Sequence, residues 1–241
     1  MATTVIYDGK ELGPHFIVNI KSKSILPPQQ VTSIQVPARA GGWFSRKKHG
    51  IRAIEVAVTI TADSVADLHQ KADELAEIFS VDEPKKLVIT DQPDRYYLAI
   101  LHGSVEEDRK ALFMINQLNF VCFDPYAYSS VPNVYQHGQV YNQGTAPAHP
   151  IITATLTEAS SDLVINHLTT GKIMRVIRDF VAGDVVVINC ETGKVTVNGS
   201  LAVADLDLNT LDFFKLERGH HDFTVTPATT QVEIELIKRW L

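Results

Sequence analysis

Cysteine is nearly absent from this chain of 241 residues: there are two, Cys122 and Cys190, in separate strand-like runs. A disulfide-stapled scaffold needs several closely spaced cysteines, so this pair reads as two reduced, buried thiols. There is no CxxC pair and no HExxH, which removes the common zinc signatures. GxxxxGK[ST] and GxSxG are missing as well, which removes the Walker phosphate cradle and the serine-hydrolase elbow. Long apolar runs are missing: Val185-Val186-Val187-Ile188 is far too short to cross a bilayer, so no membrane partner is expected. The opening MATTVIYDGKELG has no basic start followed by an apolar stretch and is expected to be the first strand rather than a secretory leader. Positive charge is not in excess either. Residues 1–132 carry 14 Lys/Arg and 16 Asp/Glu, residues 133–241 carry 8 and 12, and the net charge is −6. Binding to a phosphate backbone needs a concentrated basic surface, so no nucleic-acid partner is expected. What remains is an ordinary globular composition, 45% hydrophobic and 21% charged, long enough for two domains.

Residues 1–132 read as β structure with one helix. Thr3–Tyr7, His15–Ile20 and Thr32–Val36 are short apolar runs bounded by Gly and Pro. Ile51–Thr61, IRAIEVAVTIT, alternates cleanly, and Arg52, Ile54, Val56, Val58 and Ile60 should face the core. Val65–Phe79 repeats apolar residues at helical spacing (Val65, Leu68, Ala72, Leu75, Ala76, Phe79), with Asp63 or Ser64 as cap. Lys86–Thr90, Tyr96–Gly103 and Ala111–Cys122 complete this half. Residues 133–148, rich in Pro, Gly, Asn and Gln, read as a linker. Residues 149–241 read as a second, all-β domain with turns about ten residues apart, which suggests a sandwich. Its expected strands include a hairpin around Glu191-Thr192-Gly193, Phe213–Leu216, His221–Thr226 and Val232–Trp240.

Few residues carry chemistry. His220-His221-Asp222 is the tightest set of potential metal ligands, but neighbours in a strand point to opposite faces and do not converge on one ion. Asp82-Glu83 and Glu106-Glu107-Asp108 sit beside turns and read as solvated tips, which leaves a hydrolase reading without a substrate. Asp124, before a proline, reads as a turn initiator acting through its own side chain. GGWFSRKKHG, Gly41–Gly50, is the exception. On a loop between two strands it places Trp43 and Phe44 beside Arg46, Lys47 and Lys48. Aromatic and basic residues together stack bases or sugars, or dock on another chain. The flanking glycines favour a projecting hairpin whose contacts are with protein, and a basic patch in an acidic chain suits an acidic neighbour.

Several patterns, in order, then resemble the distal tail proteins of long-tailed, non-contractile bacteriophages. VPARAGGW is similar to the family's Pro-Gly-Arg-x-Gly segment, with Ala38 where glycine is common. EPKKLVITDQPDRYYLAIL carries the family's Asp-x-Pro-Asp-Arg-Tyr-Tyr strand pair at Asp91, Pro93, Asp94, Arg95, Tyr96 and Tyr97. FVCFDPYAYS is similar to its first-domain ending, NQGTAPAHPII to the approach to its second domain, and GDVVVINCETGKVTVNG and FFKLERGHHDFTV to that domain's hairpin and turn. The resemblance implies a mainly β chain. Its first domain would be sandwich-like, with one helix and a projecting hairpin, and would form a hexameric ring at the end of the tail tube. Its second would be a galectin-like sandwich outside the ring. It also implies a non-enzymatic hub without cofactor or metal, resident in the virion tail tip after assembly in the host cytoplasm. Implied partners are the major tail tube protein, the tail-associated tip protein, the tape-measure protein and receptor-binding proteins. A carbohydrate-binding sandwich using exposed aromatics such as Trp43 or Tyr135 is the alternative, disfavoured by the scarcity of Tyr and Trp in the second half.

Overall fold

The structure, a computed structural model, describes residues 4–38, 40–103, 108–110, 112–136, 138–210 and 212–241. The chain forms two compact units that divide after Ser130. Unit 1 holds β1 (Val5–Tyr7), β2 (Lys10–Glu11), β3 (Phe16–Lys23), β4 (Gln29–Gln35), β5 (Gly42–His49) and β6 (Arg52–Thr61). These are followed by α1 (Val65–Phe79), β7 (Lys85–Ile89), β8 (Arg95–Leu101), β9 (Asp108–Lys110), β10 (Phe113–Cys122) and β11 (Ala127–Ser129). The main sheet runs β2-β1-β7-β8-β10-β6-β3. Its spine is the ten-residue antiparallel ladder from Phe113↔Thr61 to Cys122↔Arg52.

The alternation of β6 is realised: Ile54, Val56, Val58 and Ile60 are buried, and Arg52 goes in with them. Arg52 donates from Nη1 to the Ser24 carbonyl at 3.2 Å and lies 5.5 Å from the Tyr97 ring centre. Helix α1 starts where its cap requires. Ser64 Oγ accepts from the Asp67 amide at 3.1 Å, and Asp67 pairs with Lys71 one turn on at 2.8 Å. Its buried face is Leu68, Leu75, Ile78 and Phe79, while Val65 and Ala76 of the expected stripe are exposed. Tyr7, Phe79 and Phe120 meet with ring centres 5.2–5.6 Å apart, and burial of each such ring is worth about 1.5–3 kcal/mol. At the end of β10, Asp124 Oδ1 accepts from the Tyr126 amide at 3.2 Å and Oδ2 from the Tyr128 hydroxyl, the turn expected of an Asp-Pro pair. Tyr128 also stacks on Tyr96 at 5.5 Å.

Unit 2 contains β12 (Asn133–Gln136), β13 (Gln139–Asn142), β14 (Ile151–Thr155), β15 (Ser160–His167), β16 (Lys172–Phe180), β17 (Val185–Asn189) and β18 (Lys194–Val197). Then come β19 (Ser200–Leu201), β20 (Gly219–Thr226), β21 (Gln231–Leu236) and β22 (Arg239–Trp240). A sheet ordered β12-β21-β14-β17-β18-β19 faces one ordered β13-β20-β15-β16, giving the galectin-like sandwich. Asn198 and Gly199, both at positive φ, make the two-residue turn between β18 and β19. Cys122 and Cys190 are free and buried, and burial pushes both thiols up to about 12.

Three expectations change. Residues 133–148 are not a plain linker, because β12 pairs with β21 and β13 with β20. Asn142 is fully buried; its Nδ2 donates to the carbonyls of Ala146 (3.3 Å) and Leu216 (2.9 Å), and its Oδ1 accepts from the Gly144 amide (2.9 Å). Polar residues that satisfy one another inside the unit look like a solvated linker in sequence. Phe213–Leu216 is not a strand; Phe214 and Leu216 are apolar because they fill the core. The last strand ends at Leu236, and Arg239–Trp240 is a separate short one.

The core of unit 2 also holds a histidine pair. His221 Nε2 donates to the Glu217 carbonyl at 2.7 Å, so its Nδ1 is an acceptor in the neutral ring. His167 Nε2 donates to that Nδ1 at 3.0 Å, and the Thr170 hydroxyl donates to His167 Nδ1 at 2.7 Å. His167 stacks on Phe223 at 4.6 Å and meets Phe214 edge-on at 5.5 Å.

Candidate functional site

The hairpin β4–β5 is the surface that stands out. It starts after Pro27-Pro28, which cannot continue the sheet ladder, and β-branched Val31, Thr32 and Ile34 give β4 its extended form. It closes on itself: the Gly50 amide donates to the Pro28 carbonyl at 2.7 Å, and Gln29 Nε2 donates to the Pro27 carbonyl at 2.8 Å and to His49 Nδ1 at 3.1 Å. His49 in turn meets Tyr126 edge-on at 5.9 Å. Among the described residues its strands form a separate two-stranded sheet, with every position from Gln29 to Lys48 outside the tip exposed. Such a ribbon is marginally stable alone in water, and its apolar residues gain burial only from a partner.

All five residues singled out from the sequence lie on this hairpin, but on a strand rather than a loop. Gly42–His49 is extended because Ile34, Ser33, Thr32, Val31 and Gln30 offer it a ladder, a long-range cue that glycine and lysine content conceals. The register pairs Ile34 with Trp43, Ser33 with Phe44, Thr32 with Arg46, Val31 with Lys47 and Gln30 with Lys48, with a bulge at Ser45. Directly paired residues share a face. The bulge therefore moves Arg46 and Lys48 to the face of Trp43 and Ile34, and leaves Phe44 with Val31 and Lys47 on the other. Without it, Trp43 would share its face with Ser45 and Lys47. Trp43 is 56% and Phe44 68% exposed. Ile34 and the bulge were not visible as functional features in the sequence.

The tip explains the departure at Ala38. Its φ is +63°, the left-handed conformation that costs a residue with a Cβ about 1–2 kcal/mol, and Gly41 follows at +79°. Ala38→Gly is expected to slow amide exchange in β4 and β5 about fivefold or more and to leave global unfolding within about 0.5 kcal/mol of the parent. Unchanged hairpin exchange would show that the strain is not felt there.

The electrostatics are one-sided. Residues 12–54 hold seven Lys/Arg and no Asp/Glu, although the chain as a whole is acidic. Residues 55–94 hold ten Asp/Glu and three Lys/Arg. At the hairpin root, burial lowers the Lys23 ammonium and raises the Tyr97 phenol.

The other candidates do not assemble. Asp82 and Glu83 are exposed at a bend, while Glu106 and Glu107 lie outside the described residues. Among the described residues no three His, Cys, Asp or Glu side chains are grouped to hold a metal. His220 is exposed and stacks on Tyr141 at 4.3 Å, whereas its neighbour His221 is buried against His167. Tyr135 donates its hydroxyl to the Tyr141 carbonyl at 2.6 Å and packs on the core, so it offers no open platform for a sugar.

Comparison with known proteins fits this architecture. A phage tail protein RIFT-related domain matches residues 12–122, and a siphovirus-type tail component C-terminal domain matches residues 143–240. The chain is thus a phage tail component by class. The distal tail protein of Bacillus phage SPP1 is 27% identical over 209 residues, covering 81% of this chain and 80% of that protein. The crystal structure of that phage's Dit protein, described as a paradigm of the hub adsorption apparatus in phages infecting Gram-positive hosts, superposes over all of both chains with a TM-score of 0.85 at 19% identity. A chain of the phage P2 baseplate in its activated conformation with calcium matches at TM-score 0.54 and 10% identity, over 99% of this chain and 98% of that one. This chain belongs to the distal tail protein family.

Proposed function

We propose that the protein is a structural hub of a phage tail tip, without catalytic activity. Six copies form a ring through unit 1, and the ring joins the tail tube to the tail-associated tip or baseplate proteins. The observation that carries this reading is the likeness to the SPP1 distal tail protein across both units, in sequence as well as fold. The hairpin supplies the physical means. An arm whose strands span about 25 Å, with aromatic and cationic side chains uncovered on both faces, suits a head-to-tail contact. Such a contact uses two different patches on each copy and closes into a ring after a fixed rotation. Light scattering and negative-stain imaging of the purified protein, alone and with its tail-tip partner, should show rings of six. Monomers under both conditions would sink the reading.

A further inference from the structure

Unit 1 carries a second surface that matches the hairpin. Along α1, Ala72, Leu75, Ala76 and Phe79 form one wall of a groove of about 360 Å³, and Leu101, Met114, Asn116 and Leu118 form the other. That volume is at the small end of the range for binding pockets and suits one aromatic side chain with its neighbours. The groove is largely apolar, with Ser80 and Asn116 as its polar lining residues. Asn116 sits on the inward face of β10 between Met114 and Leu118 and is 2% exposed. An aromatic side chain entering the groove is favoured by apolar burial. Asp73, Glu74 and Glu77 line the exposed side of α1 beside the groove, and Asp82 and Glu83 follow just beyond it. Of these, Glu77 faces the exposed Lys10 at 3.8 Å.

The hairpin presents the complement on one face. Trp43 offers a large aromatic ring that is 56% exposed, Ile34 lies beside it, and Arg46 and Lys48 follow on the same side because of the bulge at Ser45. We infer that the occupant of this groove is the hairpin of a second copy of this chain: Trp43 enters beside Asn116, while Arg46 and Lys48 lie along Asp73, Glu74 and Glu77. The inference rests on the ring reading and names both halves of its contact. It also explains the charge separation within unit 1. Cations are gathered in residues 12–54 and anions in residues 55–94, so each copy attracts the next in one orientation and repels it in the reverse one.

The test uses two full-length variants. One loses the arm's contacts (Trp43→Ala with Arg46→Glu and Lys48→Glu); the other blocks the groove at exposed helix positions (Ala76→Arg with Glu77→Lys). Each alone should assemble at least about thirtyfold more weakly than the parent, the effect of removing a buried aromatic anchor. Each variant keeps the surface the other has lost, so their mixture should give one-to-one dimers and nothing larger, which also shows that both are folded. Rings formed by the groove variant would overturn the groove as acceptor and leave the ring reading standing. A parent chain that stays monomeric would overturn both. If the groove variant keeps its ring but no longer binds another tail protein, the occupant is that protein and the inference fails.

Discussion

Excising residues 29–49 and joining Pro28 to Gly50 through two glycines is expected to give a folded protein that no longer forms rings. The two ends already meet, since the Gly50 amide donates to the Pro28 carbonyl at 2.7 Å. Nearly all of the removed side chains are exposed, so little apolar burial within the monomer is lost. The known losses are the His49–Tyr126 contact and the hydrogen bonds of Gln29, together worth about 1–2 kcal/mol. Thermal unfolding should therefore shift by only a few degrees, while light scattering falls to the monomer mass at every accessible concentration. Removing Trp43–Lys48 alone is the poorer experiment, because it strips one strand and leaves β4 as an unpaired edge. Intact rings after excision of the whole hairpin would show that the subunits meet elsewhere.

The second large effect is on pH dependence. His167 is buried, and burial, reinforced by His221 and opposed by Asp222, lowers it from an ordinary value near 6.5 to about 4. In the unfolded chain it takes up a proton as pH falls through about 6.5, whereas in the folded chain it stays neutral down to about 4. Between those values the unfolded state binds more protons, so stability is complete above about pH 7 and declines toward pH 4. The full loss for this group is about 3 kcal/mol. Geometry gives the same sign. Protonation would place a charge between the rings of Phe214 and Phe223. His167→Gln keeps an amide donor for His221 Nδ1 and removes the titrating group. Urea unfolding measured from pH 7 to pH 4 should show a shallower slope in that variant than in the parent. Equal slopes would show that His167 does not carry the effect. Through His167 the sandwich loses stability as the pH falls toward 4.

How far the sequence reaches differs from element to element. Strand β6 and helix α1 were legible almost to the residue, because their burial follows a period of two or of 3.6 over ten or more positions and α1 carries its own cap in Ser64. The Asp124 turn, the Asn198-Gly199 turn and the hairpin's root were legible for a related reason: proline, glycine and short polar side chains impose local geometry whatever lies across the fold. The family patterns are also runs of neighbours. Tertiary structure decided the rest. Strands β12 and β13 are short and polar, and only pairing with β21 and β20 makes them strands. Trp43 faces the same way as Arg46 and Lys48 because one residue bulges against β4, and sequence spacing alone assigns them to opposite faces. Asn116 belongs to the groove only because α1 packs beside β10. His167 and His221 are 54 positions apart, and no local pattern joins them. The sequence by itself determined β6, α1, the turns directed by proline, glycine and short polar residues, the two-unit β class and the family. Which side chains meet was set by register and packing between distant segments, and the docking surfaces and the histidine pair exist only at that level.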